Sequence, residues 1–162
     1  MTRRYCPACW ADAPATATRC PNCGKPLDDG ETDLVLRYAT ALRHREPTRA
    51  CLACGMLAEL GDLRAVPPLL ALVESRPQAY EVLVAAAESL AALQDARAVP
   101  VLQALLEDTE AVIPARLAAL RALTRFGGEA ARAALAWART CDRPSLQTEA
   151  LALDLGDSLP FD

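Results

Sequence analysis

The sequence predicts an all-α protein: a short solenoid of stacked helical hairpins, preceded by a small cysteine-bearing module. Three observations carry this. Hydrophobic residues make up 52% of the 162, yet aromatics only 4%; Ala and Leu supply most of the apolar content, a mixture that favours helices over strands. A pattern recurs at an offset of 33 residues: Leu60-Gly61-Asp62-Leu63-Arg64-Ala65-Val66-Pro67 aligns with Leu93-Gln94-Asp95-Ala96-Arg97-Ala98-Val99-Pro100. Finally, Cys6-Pro7-Ala8-Cys9 and Cys20-Pro21-Asn22-Cys23 form two C-x-x-C hooks on a short connector.

In chain order the hooks come first. Each C-x-x-C turn bends the backbone so that both sulfurs face one point, and four thiolates suit a tetrahedral Zn²⁺. One structural zinc on Cys6, Cys9, Cys20 and Cys23 is therefore expected. A closed four-sulfur shell leaves no position for water or substrate, so the site holds structure. Residues 1–28 contain four prolines, few large aliphatics and no helical periodicity, and Asp28-Asp29-Gly30 reads as a hinge.

From there the chain turns helical over 31–158. A leading helix is expected at about 32–45, ending before Pro47. Two-helix units follow at about 47–76, 78–109 and 111–140, and a terminal helix at about 144–155. The shift of 33 carries Ala53 to Ala86 to Ala119 and Leu57 to Leu90 to Leu123 without a gap. First helices carry stripes such as Cys51, Cys54, Leu57, Leu60 and Leu83, Ala87, Leu90, Leu93. Second helices bury Val66, Leu69, Leu72, Val73 and then Val99, Leu102, Leu105, Leu106. Asp62 and Asp95 are placed to cap the second helices, with Pro67 and Pro100 near the first turn, where a missing N–H costs least. The third copy decays, Val99 becoming Arg132 and Leu106 becoming Arg139, and a partial fourth copy runs over Leu146–Gly156. One hairpin cannot cover its own apolar stripe; stacking makes a continuous core whose ends need capping. The cysteine module is placed to shield one end.

At L-G-D-x-R-A-V-P-x-L-x-A-L, residues Leu60–Leu72 and Leu93–Leu105 resemble HEAT repeats of the short phycobilisome-lyase type. The hooks, ending Cys-Pro-Asn-Cys-Gly-Lys-Pro-Leu, resemble a zinc ribbon, with Trp10 standing where the first knuckle would have its glycine. The resemblance implies a right-handed α-solenoid with a small β-hairpin ribbon, and mainly protein-binding or scaffold roles. It also implies that the second-helix face forms the concave, partner-facing surface. Trp137 falls in the slot of Ala71 and Ala104 on that face, with Glu74 and Glu107 beside it. Two readings of Trp137 stand: a binding anchor, or packing beneath the terminal helix.

Other candidates weigh less. Cys51 and Cys54 repeat the C-x-x-C spacing, but they align with Val84 and Leu117, and with Ala87 and Leu120, which are core positions suited to buried Cys. Cys141 stands alone. His44, the single histidine, follows a basic helix end; a Ser-His-Asp triad would have to use it, and di-iron hydroxylases built on HEAT repeats need several histidines. No phosphate-binding glycine loop occurs. Carboxylate pairs such as Glu107-Asp108 read as solvated surface. Arg64 and Arg97 recur with Asp62 and Asp95, which reads as ion pairs between stacked turns or as a basic stripe.

A formal charge of −4 disfavours non-specific binding to nucleic acid or anionic membrane. No apolar run approaches the ~20 residues that span a bilayer, and no signal-peptide core follows the arginines at the N-terminus, so a cytoplasmic protein is expected. The expected function is a non-enzymatic adaptor or scaffold for a protein partner. A nucleic-acid accessory factor is the alternative, since Arg3, Arg4, Arg19 and Lys25 lean the ribbon basic against Asp12, Asp28 and Asp29. A lyase-like enzyme or chaperone, resting on the repeat resemblance alone, is the third reading.

Overall fold

The computed structural model describes residues 3–6, 9, 11–27, 33–76 and 79–156. The expected hinge at Asp28–Gly30, the role of Trp10 and the start of the leading helix at Thr32 lie outside these residues. Two short antiparallel strands, β1 (Arg3–Tyr5) and β2 (Asp12–Pro14), precede eight helices among the described residues. These are α1 (Leu34–Ala41), α2 (Pro47–Leu60), α3 (Val66–Glu74), α4 (Tyr80–Leu93), α5 (Ala98–Glu107), α6 (Ile113–Phe126), α7 (Gly128–Thr140) and α8 (Pro144–Gly156). The protein is all-α, a stack of helical hairpins with a minor N-terminal hairpin.

The helices form two layers. First helices pack side by side, α2 on α4, α4 on α6 and α6 on α8; second helices do the same, α3 on α5 and α5 on α7. The terminal helix thus occupies the first-helix slot of a fourth unit, as its Leu146 and Ala150, both fully buried, require. One cluster of buried side chains runs the length of the array from Val35 to Ala150. Leu57, Leu90 and Leu123, one from each unit, sit in it at 0%, 0% and 1% exposure. No hairpin owns a core of its own, and burial comes from the neighbours.

The turns show why the repeat is written as it is. Asp33 caps α1, its carboxylate accepting from the Val35 and Leu36 amides at 3.0 and 3.4 Å. Asp62 does the same for a one-turn 3₁₀ segment, Leu63–Ala65, which leads into α3. At the corresponding place Asp95 accepts from the Arg97 amide at 2.9 Å. Helix α1 stops at Ala41, short of the expected Arg45. The residue before Pro47 is driven to extended backbone, and Glu46 lies at φ −91, ψ 117. The Arg43-His44-Arg45 stretch between is exposed, so it has no apolar face to extend the helix.

Gly61 closes α2 in the left-handed region at φ 64, and Gln94 closes α4 at φ 53. Glycine enters that region without steric cost, whereas glutamine does not. The Gln94 side chain offsets part of this by donating to the Ala91 carbonyl at 2.6 Å. Gln94→Gly is accordingly expected to raise stability by about 0.5 kcal/mol and Gly61→Gln to lower it by about 1 kcal/mol. Urea denaturation of the two variants checks the opposite signs.

The recurring arginines differ from expectation. Arg97 pairs with Asp95 inside its own turn, at 2.8 Å, and Arg64 with Asp62 likewise at 2.6 Å. Two residues of separation let the guanidinium fold back onto the capping carboxylate. Only Arg64 also bridges elements, reaching Asp33 at 2.6 Å. Contacts between successive units come from other pairs, Arg76 with Asp108 and Arg121 with Glu149. All are solvent-facing and contribute little individually.

Candidate metal centre and partner face

Strand pairing Arg3–Pro14, Arg4–Ala13 and Tyr5–Asp12 sets the first hook in the loop between β1 and β2. The second hook sits in a loop closed by the bridge between Arg19 and Pro26. Each loop is pinned at its base: the Cys6 amide donates to the Ala11 carbonyl and the Cys20 amide to the Lys25 carbonyl, both at 2.9 Å. Gly24 stands at φ 71, a left-handed turn that lets its amide return to the Cys20 carbonyl at 2.9 Å.

The two loops bring their sulfurs to one point. The four Sγ atoms of Cys6, Cys9, Cys20 and Cys23 lie within 4.8 Å of one another. Cys6 and Cys23 are 3.6 Å apart and Cys9 and Cys20 3.5 Å. Such separations are far longer than an S–S bond of about 2.05 Å, and all four are free thiols. A tetrahedron with Zn–S bonds of about 2.3 Å has an edge of about 3.8 Å, so the donor set fits a four-coordinate metal. These four cysteines lie close together and could hold a metal ion.

The surroundings favour charged sulfur. The Asn22 and Cys23 amides donate to Cys20 Sγ at 3.3 and 3.5 Å, and the Asn22 side chain donates to Cys9 Sγ at 3.6 Å. The Ala11 amide and the Asn22 side chain pull the Cys9 thiol down to about 6. At Cys23 the Lys25 amide pulls the same way, but desolvation and the sulfurs of Cys9, Cys6 and Cys20 outweigh it and push that thiol up to about 12. Four thiolates this close resist joint ionisation unless a cation lies among them. Cys6 and Cys20 are buried with Ala13 and Leu27 in a small apolar cluster of their own, while Cys23 is exposed. The cysteine module rests on the array: Tyr5 packs against the main core, and Arg37 of α1 donates to the Leu27 carbonyl at 3.4 Å. Of its cations, Arg19 is engaged within the module, donating to the Gly24 carbonyl at 3.1 Å.

Cys54 is fully buried and Cys51 half-buried. Burial and the neighbouring Cys51 push the Cys54 thiol up to about 12, as befits a core residue. His44 is exposed, with Nδ1 accepting from the Glu46 amide at 3.0 Å.

The remaining candidates share one face. Ala71 and Glu74 on α3, and Ala104 and Glu107 on α5, are exposed, and Trp137 on α7 is half-buried. The shift of 33 that relates them in sequence places them in rows across the second-helix layer. Glu107 accepts from Gln103 Nε2 at 3.0 Å.

Trp137 has a partner that escaped notice in the sequence. The Arg116 guanidinium lies 5.5 Å from its ring centroid, a cation–π contact. Arg116 is 2% exposed and its Nε donates to the Leu106 carbonyl at 2.9 Å, an orphan acceptor in the last turn of α5. The signal was available: position 116 aligns with Leu83 and Ala50, both core, so a charge there had to find a carbonyl and a ring. Removing it is expected to matter. Arg116→Ala should lower stability by about 3 kcal/mol through the cavity and the stranded carbonyl, and Arg116→Met, which keeps the volume, by less than half of that. Equal losses in denaturant melts would contradict the packing role.

Residues 36–115 match the HEAT repeats family. The match covers just under half of the chain, from α1 to the start of α6. Among curated proteins none matches the chain. HEAT repeats generally mediate protein interactions, and the described helices include none long and apolar enough to cross a membrane.

Proposed function

We propose that the chain is a non-enzymatic adaptor in the cytoplasm, joining a protein partner to a metal-stapled helical array. Residues 1–28 form a zinc ribbon, with Cys6, Cys9, Cys20 and Cys23 holding one structural Zn²⁺. Residues 31–158 form the HEAT-like array, whose second-helix face, with Ala71, Glu74, Ala104, Glu107 and Trp137, meets the partner. The metal supplies a cross-link and no open coordination position. Asn22, Gly24 and the Ala11 and Lys25 carbonyls orient its ligands.

One observation carries the reading: Ala71 with Ala104, and Glu74 with Glu107, are exposed at equivalent positions of successive second helices, where the core does not need them. Small residues there let a partner approach closely, and a half-buried Trp beside them is the residue type enriched where binding energy concentrates. Free thiols throughout the chain suit a reducing compartment.

The test is affinity capture from native lysate with the wild-type chain and with Glu74→Lys/Glu107→Lys. Both side chains are exposed, so the variant should melt like the wild type. The bound macromolecule should be lost, or weakened by about tenfold or more. Equal recovery by both chains removes this face from the account.

A further inference from the structure

A second surface lies where the α1–α2 turn meets α3 and α4. A cavity of about 470 Å³ opens there, a volume within the ~300–1,000 Å³ of ordinary ligand sites. Its floor is apolar, made by Leu42, Ala50, Leu72 and Val82, all buried. Its rim carries two cations, Arg43 and Arg45, with His44 between them; all three line it and are exposed.

The turn that displays these side chains follows from Pro47, which ends the helical run and sends the chain across the mouth of the groove. The acid closest in sequence, Glu46, is engaged by Arg49 at 3.0 Å. Arg64, Arg76, Arg97 and Arg121 each hold a carboxylate, but among the described residues Arg43 and Arg45 hold none and make no hydrogen bond through their side chains. Pro47 and Ala79, at the starts of α2 and α4, also border the groove, and neither helix start is capped by a side chain. Glu81 in the first turn of α4 is exposed and is not part of the lining.

We propose that this groove binds an acidic peptide segment in which carboxylates flank a large apolar side chain. The apolar side chain rests on Leu42, Ala50, Leu72 and Val82, and the carboxylates meet Arg43 and Arg45. A small inorganic anion fits less well, since the cations are exposed and the floor offers it no donor. An anionic membrane fits less well too, since the whole chain carries a net charge of −4. This surface is separate from the second-helix face, and either can fail without the other.

The test is fluorescence anisotropy on the full-length chain with a labelled hexapeptide, EDLFED, and two controls, QNLFQN without charge and EDSSED without apolar residues. EDLFED should bind, each control about tenfold or more weaker, and added salt should weaken binding. Arg43→Gln/Arg45→Gln should lower affinity for EDLFED about tenfold while leaving the melting temperature unchanged, and Arg43→Lys/Arg45→Lys should keep most of it. Equal binding of QNLFQN, or unchanged binding by the double glutamine variant, overturns the proposal. Displacement of the peptide by inorganic phosphate, or preference for anionic vesicles over the peptide, overturns it as well.

Discussion

Stripping the metal is expected to unfold residues 3–27 and leave the helices standing. Among the described residues the cysteine module has a core of Cys6, Ala13, Cys20 and Leu27, two of which are proposed metal ligands. So small an apolar cluster cannot by itself offset the conformational entropy of ordering the module. Structural zinc contributes about 10–16 kcal/mol in comparable short modules, enough to make folding and metal binding one event. The array depends on none of this. Its buried cluster runs from Val35 to Ala150, and the module meets it through Tyr5 and the Arg37–Leu27 hydrogen bond. Hydrogen exchange before and after chelation reads the difference. The amides of Cys6, Cys20, Gly24 and Leu27, bonded within the module, should lose protection, and those in the middle of α4 and α6 should keep it. If the module amides stayed protected without metal, the staple would be superfluous.

Leu90→Ala is expected to have the next largest effect, about 2–5 kcal/mol out of a typical total of about 5–15 kcal/mol. Leu90 is fully buried on α4, which packs against α2 on one side and α6 on the other, and against α3 of the preceding unit. In a stacked array stability is a sum over units and the interfaces between them. A cavity in the central unit therefore weakens two interfaces, whereas Leu57→Ala, in the first full unit, weakens chiefly one. Urea denaturation followed by helical circular dichroism should place the midpoint of Leu90→Ala below those of both Leu57→Ala and the wild type. A cost under about 1 kcal/mol would mean that α4 does not bridge its neighbours.

Much of the fold could be read from the sequence because a repeat states its own register. Leu57, Leu90 and Leu123 declare one buried column, and Asp62 and Asp95 declare where second helices begin. The same register identified Cys54 as core despite its spacing, with Cys51 half-buried beside it, but it slips in the fourth unit, where Leu146 is fully buried although the shift aligns it with the exposed Tyr80. Arg116 was missed because composition and motif reading treat arginine as surface; its burial follows from the carbonyl of Leu106 and the ring of Trp137, contacts that exist only after α5, α6 and α7 have packed. The pairing of Arg64 and Arg97 within their own turns depends on side-chain geometry that spacing alone leaves open. The four-cysteine cluster was legible because each hook is a local structure, needing only that two short loops face each other. The groove above Leu42 was not legible, since its lining comes from two separated stretches of chain, 42–50 and 72–82. In sequence Arg43-His44-Arg45 is merely a basic helix end.

The central claim is that Cys6, Cys9, Cys20 and Cys23 staple the N-terminal tip of a stacked helical array with one zinc ion. Native mass spectrometry of the reduced full-length chain tests it most directly. One zinc per chain, lost in Cys6→Ser/Cys20→Ser while the helical signal persists, is the expected result. A wild-type chain that binds no zinc, or one that keeps zinc in the double variant, would contradict it.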